Sequence, residues 1–254
     1  MATTPLSEPF YRVDEHFATD LPTARVVFTT RRGGTSEGPY ESLNLGRLTD
    51  DRPDAVAGNR ARLEDELAVS LGFTHQIHGP EVRELTPASA ERDRAAEPGA
   101  LTRADGQFTT HRGLAPAVLT ADCLAIAVAG DRAVAMLHAG WKGLATGVIA
   151  SGVAALRAAG VEGALSAAIG PGAGPCCYEV GEEVHRAFAD RPGDVSRDGH
   201  LDLPAIARYD LAAAGVTDVV EIGLCTICSD PSLFFSHRRD RGITGRQAGI
   251  AWLS

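Results

Sequence analysis

Apolar and polar positions alternate along the chain in blocks that predict strands followed by helices. The run from Ala24 to Thr30 is short, apolar and rich in β-branched side chains, which is typical of a buried strand. The block from Asp50 to Gly72 places Val56 and Leu63 on one helical face, with Asp51 as a candidate N-terminal cap. The spacing in this second block therefore predicts a helix.

Two apolar runs in the middle of the chain extend this pattern. They cover Ala115–Gly130 and Ala133–Gly140, and the apolar stretches within them are too short for buried helices. The polar pair between the runs indicates a tight turn, so we expect adjacent buried strands. Ile149 and Val153 then recur at helical spacing before Gly160, which predicts a helix that ends at a glycine cap.

Later segments continue the alternation, with a strand predicted in 164–171, a helix in 179–190 and a strand in 216–223. The sequence therefore predicts a mixed, layered α/β fold. Residues 86–106 are charged and nearly free of large apolar side chains, so we expect an exposed excursion there. We interpret residues 1–254 as a single catalytic domain, and a linker between two domains is the alternative for 86–106.

Composition and charge exclude several classes of partner. The chain has 254 residues, 44% of them hydrophobic, and a formal net charge of -9. Clustered Lys and Arg are needed to bind nucleic acid or anionic lipid, so we expect neither a nucleic-acid nor a membrane partner. An anion site must then be a local one.

The sequence also predicts a cytoplasmic location. Its N-terminal residues lack a basic segment followed by an apolar one, and Asp122 interrupts the longest apolar run. Five cysteines, two of them adjacent, are a poor disulfide framework and fit a reducing compartment.

Candidate chemistry lies within the two central apolar runs, near the ends of predicted strands. Cys123 and His138 stand there, and His78 lies in a separate segment that also contains His75. A His–Cys–His set fits a catalytic zinc site, which keeps a fourth position for water or substrate, although the same ligands suit copper. The alternative is a buried thiol and a hydrogen-bonded core histidine. Asp122 is either a carboxylate that orients a ligand imidazole or a turn residue.

The remaining cysteines form two separate features. Cys225 and Cys228 have the spacing of a redox pair or half a zinc ribbon, but no second C-x-x-C completes a four-cysteine site. Cys176 and Cys177 follow a rigid Gly-Pro loop. We interpret both pairs as structural thiols.

Seven sequence blocks together resemble a known family, the YfiH-like purine nucleoside phosphorylases, long labelled polyphenol oxidase or laccase domain. The resemblance covers nearly the whole chain and rests on the blocks "TTRRGGTSEGPYESLNLG", "HQIHGPEV", "ADGQFTT", "LTADCLAIAV", "LHAGWKG", "IGPGAGPCCYEVG" and "CTICSDPSLFFSHRRDRGITGRQAGIAWL". The resemblance implies a layered α/β fold similar to that of the cytotoxic necrotizing factor deamidases, in a monomeric protein.

The same resemblance implies a metal site and an activity. Its ligands would be His78, Cys123 and His138, with zinc preferred and copper possible, and these three residues would also be catalytic. The family is taken to cleave adenosine, inosine and S-methyl-5′-thioadenosine with phosphate. The products are the free base and ribose 1-phosphate or its methylthio analogue. Adenosine is also deaminated to inosine.

Phosphorolysis requires cationic groups close to such a centre, because phosphate attacks as an anion. Arg31 and Arg32 are candidates beside glycines that expose backbone N–H groups, and Lys142 and Arg238 are others. Asn44 is a candidate for binding the sugar or the base. A solvated surface charge, or for Asn44 a turn residue, is the alternative in each case.

Other functional classes stay open at this point. One is a copper-dependent polyphenol oxidase, although such enzymes need several coppers and the chain has eight histidines. Another is a hydrolase that edits peptidoglycan precursors, with Cys123 as nucleophile and His138 as base. A non-catalytic binding module is the third.

Overall fold

Two six-stranded sheets and six α-helices dominate the part of the chain that the computed structural model describes, residues 8–191 and 195–254. The strands are β1 Tyr11–Val13, β2 His16–Leu21, β3 Ala24–Phe28, β4 Ser70–Gly72, β5 Val82–Glu84, β6 Gly106–Thr109, β7 Leu114–Thr120, β8 Leu124–Ala129, β9 Val134–Ala139, β10 Ser166–Ile169, β11 Ser196–Arg197, β12 His200–Leu201, β13 Asp218–Glu221 and β14 Gln247–Leu253. The helices are α1 Pro53–Leu67, α2 Pro87–Ala95, α3 Trp141–Thr146, α4 Val148–Ala158, α5 Glu182–Ala187 and α6 Leu203–Ala213.

Both large sheets are mixed. The first has the strand order β1-β2-β3-β14-β7-β4, and the second has the order β13-β10-β8-β9-β6-β5. Most neighbours are antiparallel, while β4 with β7, β5 with β6 and β10 with β13 are parallel. Strands β11 and β12 pair separately.

The two large sheets pack face to face, and helices cover their outer faces. Val118 of β7 and Met136 of β9 belong to the core between the sheets. Leu137 of β9 packs on the opposite face with residues of α3, α4 and α6. Leu63 of α1 packs against Ala117 of the first sheet. The predicted layered α/β fold is confirmed in this four-layer arrangement.

Strand periodicity decides which way the functional side chains point. Successive side chains of a strand face opposite sides, so His138 lies on the same face of β9 as Met136, toward the other sheet. The sheets approach closely here because Ala125 is small and Gly249 has no side chain. A Cβ on Gly249 would lie 2.4 Å from the Cβ of Ala125.

Most of the predicted elements are present, with local corrections. The apolar run Ala115–Gly130 forms two strands, β7 and β8, in different sheets. Residues 86–106 are not simply an exposed excursion, since α2 begins there with a capping box in which Thr86 and Ser89 exchange hydrogen bonds. Asp51 does not cap α1. Its carboxylate instead accepts hydrogen bonds from Ser36 and Asn44, and Arg52 precedes the helix without a side-chain cap. Within the described residues, no helix has both the length and the apolar character needed to cross a bilayer.

Candidate functional site

Cys123 lies where the chain passes from one sheet to the other. The apolar run that contains it is divided between β7 and β8, which belong to different sheets. Asp122 makes the crossing with a left-handed φ of 92°. Its carboxylate accepts hydrogen bonds from Thr226 Oγ1 and the backbone N–H of Arg238, both at 2.7 Å. These two bonds offset the backbone strain, which costs about 1–3 kcal/mol for such residues.

Asp105, rather than Asp122, is the carboxylate that orients the imidazole of His138, one of the three candidate ligands. His138 Nδ1 lies 2.7 Å from Asp105 Oδ1, and both side chains are buried. Because a carboxylate only accepts hydrogen bonds, Nδ1 carries the proton and Nε2 is left to face Cys123. Burial would raise the pKa of Asp105, but hydrogen bonds from His138 and the Gly79 backbone outweigh it and lower that pKa.

The same carboxylate fixes the loop that carries His78. Backbone N–H groups of Ile77, His78 and Gly79 donate to Asp105 at 2.8–2.9 Å. This cradle holds His78 in a left-handed conformation, with φ of 60°. Asp105 therefore positions two imidazoles at once, one through its ring and one through its backbone.

The side chains of His78, Cys123 and His138 converge as the sequence predicted. One ligating atom from each lies within 4.8 Å of the others, and His78 Nε2 is 3.9 Å from Cys123 Sγ. The two imidazole rings meet edge to face, with centroids 4.8 Å apart. Two nitrogens and one sulfur, with Asp105 behind one imidazole, fit the donor set and outer hydrogen bond of a catalytic zinc site. The same donors also suit copper.

These ligand groups shift one another's protonation. Burial would raise the pKa of Cys123, but the charge of His138 and hydrogen bonds from both histidines lower it to about 6. Burial also opposes protonation of His138, whereas the Cys123 thiolate and Asp105 favour it and raise its pKa to about 9. The metal-free pair is thus a thiolate facing an imidazolium at neutral pH. Metal binding requires loss of the imidazolium proton.

The space beside these ligands can accommodate them only because residue 140 is glycine. A Cβ on Gly140 would lie 2.8 Å from Cys123 Sγ and 3.1 Å from His78 Cδ2. The backbone itself would tolerate alanine, since φ of Gly140 is -79°.

We expect Gly140→Ala to weaken zinc binding by about tenfold or more, comparable to the loss of an outer hydrogen bond at such sites. The added methyl group must displace Cys123 or His78. Gly58→Ala is the matched control, because Gly58 lies exposed in α1 with nothing within 4 Å of its Cβ position. Competition with a zinc indicator measures both variants, and unchanged affinity in Gly140→Ala would contradict this geometry.

A cavity of about 500 Å³ opens beside the three ligands. Its lining includes all three and the apolar or aromatic side chains of Leu119, Trp141 and Tyr178. Five cations also line it: Arg47, Arg60, Lys142, Arg238 and Arg246. The cavity is therefore a local positive site in a chain of net charge -9.

The protein family of this chain follows from a match to a family sequence model. The model described as "Multi-copper polyphenol oxidoreductase laccase" matches residues 25–254. The chain belongs to this family. The resemblance predicted from the seven sequence blocks is confirmed.

Several similar proteins are named as purine nucleoside phosphorylases, which is more specific than the description of the laccase family. A purine nucleoside phosphorylase of Xylella fastidiosa (strain 9a5c) is 41% identical over 251 residues, covering 91% of this chain and 94% of the relative. Purine nucleoside phosphorylase YfiH of Escherichia coli (strain K12) is 39% identical over 237 residues, covering 89% and 92%. The crystal structure of Bacillus licheniformis YfiH has a TM-score of 0.87 at 32% identity, covering 98% of this chain and 100% of that one.

The predicted substrate-binding residues of this laccase-family chain divide into two groups. Lys142 and Arg238 line the cavity. Arg31 and Arg32 lie outside the described cavity lining and brace a loop, where Arg31 donates to the Pro231 carbonyl at 3.1 Å and Arg32 donates to the Ser232 carbonyl at 3.0 Å. The cavity therefore gives no support to a phosphate-binding role for this arginine pair.

Asn44 lies behind the cavity wall and hydrogen-bonds to its backbone. It is fully buried, and its Oδ1 accepts hydrogen bonds from the backbone N–H groups of Gly46 and Arg246, two lining residues. Its Nδ2 donates to Thr49 Oγ1 at 2.9 Å. The side chain therefore has no free group for sugar or base. His75 is also absent from the described cavity lining and from the three-ligand set.

Sequence reasoning missed three residues at this site. Asp105 stands in a charged segment with no periodic pattern, so only its position in the "ADG" block marked it. Tyr178 and Arg246 reach the cavity from loops far away along the chain. Burial and the nearby Cys123 charge raise the pKa of Tyr178 to about 12, so its phenol stays protonated and can donate a hydrogen bond.

Proposed function

We propose that this chain is a metal-dependent purine nucleoside phosphorylase. Its substrates would be adenosine, inosine and S-methyl-5′-thioadenosine, and adenosine deamination would accompany phosphorolysis. The observation that carries the proposal is a His–Cys–His centre opening into a cavity that combines aromatic and cationic side chains. The names of the Xylella and Escherichia relatives support the same activity.

The metal ligands have defined tasks in this proposal. Zinc, when bound by His78, Cys123 and His138, would supply a Lewis acid and a water of lowered pKa. Asp105 keeps the proton on His138 Nδ1, so that Nε2 presents its lone pair. Its bonds to the 77–79 backbone hold His78 in place before substrate arrives.

The cavity wall is suited to a purine nucleoside. Its volume lies within the range of small-molecule sites, about 300–1,000 Å³. Trp141 and Tyr178 supply aromatic surface for the planar base. The neutral Tyr178 phenol can donate a hydrogen bond to an oxygen or nitrogen of the nucleoside.

Cations in the cavity would hold the phosphate that attacks the nucleoside. In phosphorolysis a phosphate oxygen attacks C1′, the bond from C1′ to the base breaks, and the base leaves with its electron pair and takes up a proton. The Arg238 guanidinium donates a hydrogen bond to the Glu179 carbonyl at 2.7 Å and lies over the ring of Tyr178. Lys142 Nζ lies 5.5 Å from the Trp141 ring centroid, and the described residues provide no ion-pair partner for it. We assign phosphate to these two groups.

A specific observation also favours the second candidate, a hydrolase with Cys123 as nucleophile. The thiolate facing His138 has the lowered pKa typical of reactive cysteines. A covalent thioester at Cys123 with a peptidoglycan precursor would support this candidate. The copper oxidase candidate rests on the family description, but only one metal-competent cluster among the described residues contains histidine.

Metal substitution distinguishes the phosphorylase from the copper oxidase. Zinc-loaded and copper-loaded protein would be assayed side by side with inosine plus phosphate and with a phenol plus dioxygen. We expect zinc-loaded protein to release hypoxanthine and neither form to oxidise the phenol faster than it turns over nucleoside. Phenol oxidation that exceeds nucleoside turnover in the copper form would overturn the proposal.

A further inference from the structure

The four cysteines outside the candidate active site form one cluster. The Sγ atoms of Cys176, Cys177, Cys225 and Cys228 all lie within 4.8 Å of one another. Cys176 Sγ is 3.6 Å from Cys228 Sγ, and all four thiols are free of disulfide bonds. Their spacing along the chain predicts two unrelated pairs, because a zinc ribbon needs two C-x-x-C motifs and the adjacent cysteines do not form one.

Parallel strand pairing explains why the two pairs meet. Strands β10 and β13 pair in parallel, with Ile169 opposite Glu221, so their carboxyl ends lie side by side. The pairing continues as a bridge between Gly172 and Cys225. Each cysteine pair lies in the loop that follows one of these strands, so the fold brings both loops to one sheet edge.

The backbone around the cluster is already arranged to stabilise a thiolate. The N–H of Gly174 donates to Cys225 Sγ at 3.3 Å. A Cβ on Gly174 would lie 3.4 Å from Cys176 Sγ and 3.3 Å from Cys225 Cβ, so a side chain there would crowd both cysteines. Hydrogen bonds from backbone N–H groups to sulfur are outer-shell contacts that help fix thiolate ligands in metal sites.

We propose that Cys176, Cys177, Cys225 and Cys228 bind one Zn²⁺ as a tetrathiolate site, separate from the His–Cys–His centre. Zinc–sulfur bonds of about 2.3 Å in a tetrahedron separate the sulfurs by about 3.8 Å. The 3.6 Å between Cys176 and Cys228 matches that separation. Four protein ligands leave no position for substrate, so the site is structural. Exposure of Cys176 and Cys228 provides a path for the ion.

The metal would fix one wall of the active-site cavity. Tyr178, next to Cys177 in the chain, lines that cavity. Thr226, next to Cys225, donates to the carboxylate of Asp122 beside Cys123. One ion bound by both loops would therefore hold Tyr178 and Thr226 in position.

Zinc counting tests the proposal on the full-length protein. The wild type, Cys228→Ser and Cys123→Ala would be purified without chelators under reducing conditions and supplied with zinc. Protein-bound metal is then measured by mass spectrometry after buffer exchange. We expect about two zinc ions per chain in the wild type and about one in each variant, with the remaining ion at the untouched site.

A cobalt spectrum identifies the ligands and covers the case of a variant that fails to fold. Cobalt-loaded Cys123→Ala should show the intense visible absorption of a tetrathiolate, and adding Cys228→His should keep the metal and shift that absorption, because nitrogen replaces one sulfur. Zinc content that is equal in wild type and Cys228→Ser would overturn the proposal. Iron or copper bound at the four cysteines after zinc has been supplied would also overturn it. So would an intact protein mass, measured in the reduced preparation, that is lowered by the formation of a disulfide among these cysteines.

Discussion

Replacing Asp105 by Asn should lower zinc affinity by about 10- to 100-fold and nucleoside turnover with it, although Asp105 is not itself a metal ligand. Each carboxylate oxygen accepts two hydrogen bonds, one oxygen from His138 Nδ1 and His78 N and the other from Ile77 N and Gly79 N. An asparagine must turn its NH₂ group toward one of these donor pairs. Either the His138 tautomer changes, which removes the Nε2 lone pair, or the loop carrying His78 moves.

The matched control is Asp131→Asn, which makes the same chemical change in an exposed turn. It should leave zinc affinity and turnover unchanged. Titration with a competing zinc indicator measures affinity, and chemical denaturation measures the stability loss, about 1–3 kcal/mol for Asp105→Asn because buried donors lose their acceptor. A variant that unfolds more easily but binds zinc with wild-type affinity would show that Asp105 is only structural.

Replacing Cys123 by Ala should remove zinc from the candidate active site and reduce both of the proposed activities, phosphorolysis and deamination, to below about one hundredth of the wild-type rate. Loss of a direct ligand should exceed the 10- to 100-fold cost of losing an outer hydrogen bond. It also leaves His138 without the thiolate that raises its pKa. Metal analysis and product chromatography on one preparation measure both effects.

Cys123→Asp is the informative companion variant, since a carboxylate oxygen is a zinc ligand but a poor replacement for a nucleophilic thiolate. We expect it to recover bound zinc and part of the nucleoside activity. A Cys123→Ala protein that keeps its active-site zinc and loses all turnover would favour the nucleophile mechanism instead.

Local pattern predicted much of the fold. The strand at Ala24–Phe28, the helix at Pro53–Leu67 and the adjacent strands β8 and β9 follow from apolar spacing. The division of the central run between two sheets could not be predicted, because both halves are equally apolar and only Asp122 marks the crossing.

The convergence of the three candidate ligands was predictable from the sequence, and the residues around them were less so. His78, Cys123 and His138 stand out because polar or reactive side chains are unusual inside apolar runs or beside glycines. Arg31 and Arg32 have the composition of an anion site, yet tertiary contacts use their guanidinium groups for loop carbonyls. The four-cysteine cluster depends on parallel pairing of β10 with β13, which spacing along the chain does not encode.

The most direct test of the proposed function is the product balance of zinc-loaded wild-type protein with adenosine, in the presence and absence of phosphate. The account predicts free base only when phosphate is present, with ribose 1-phosphate equal to the sum of adenine and the hypoxanthine formed from inosine, and it predicts inosine under both conditions. Adenine without ribose 1-phosphate, or no base and no inosine under either condition, would contradict it.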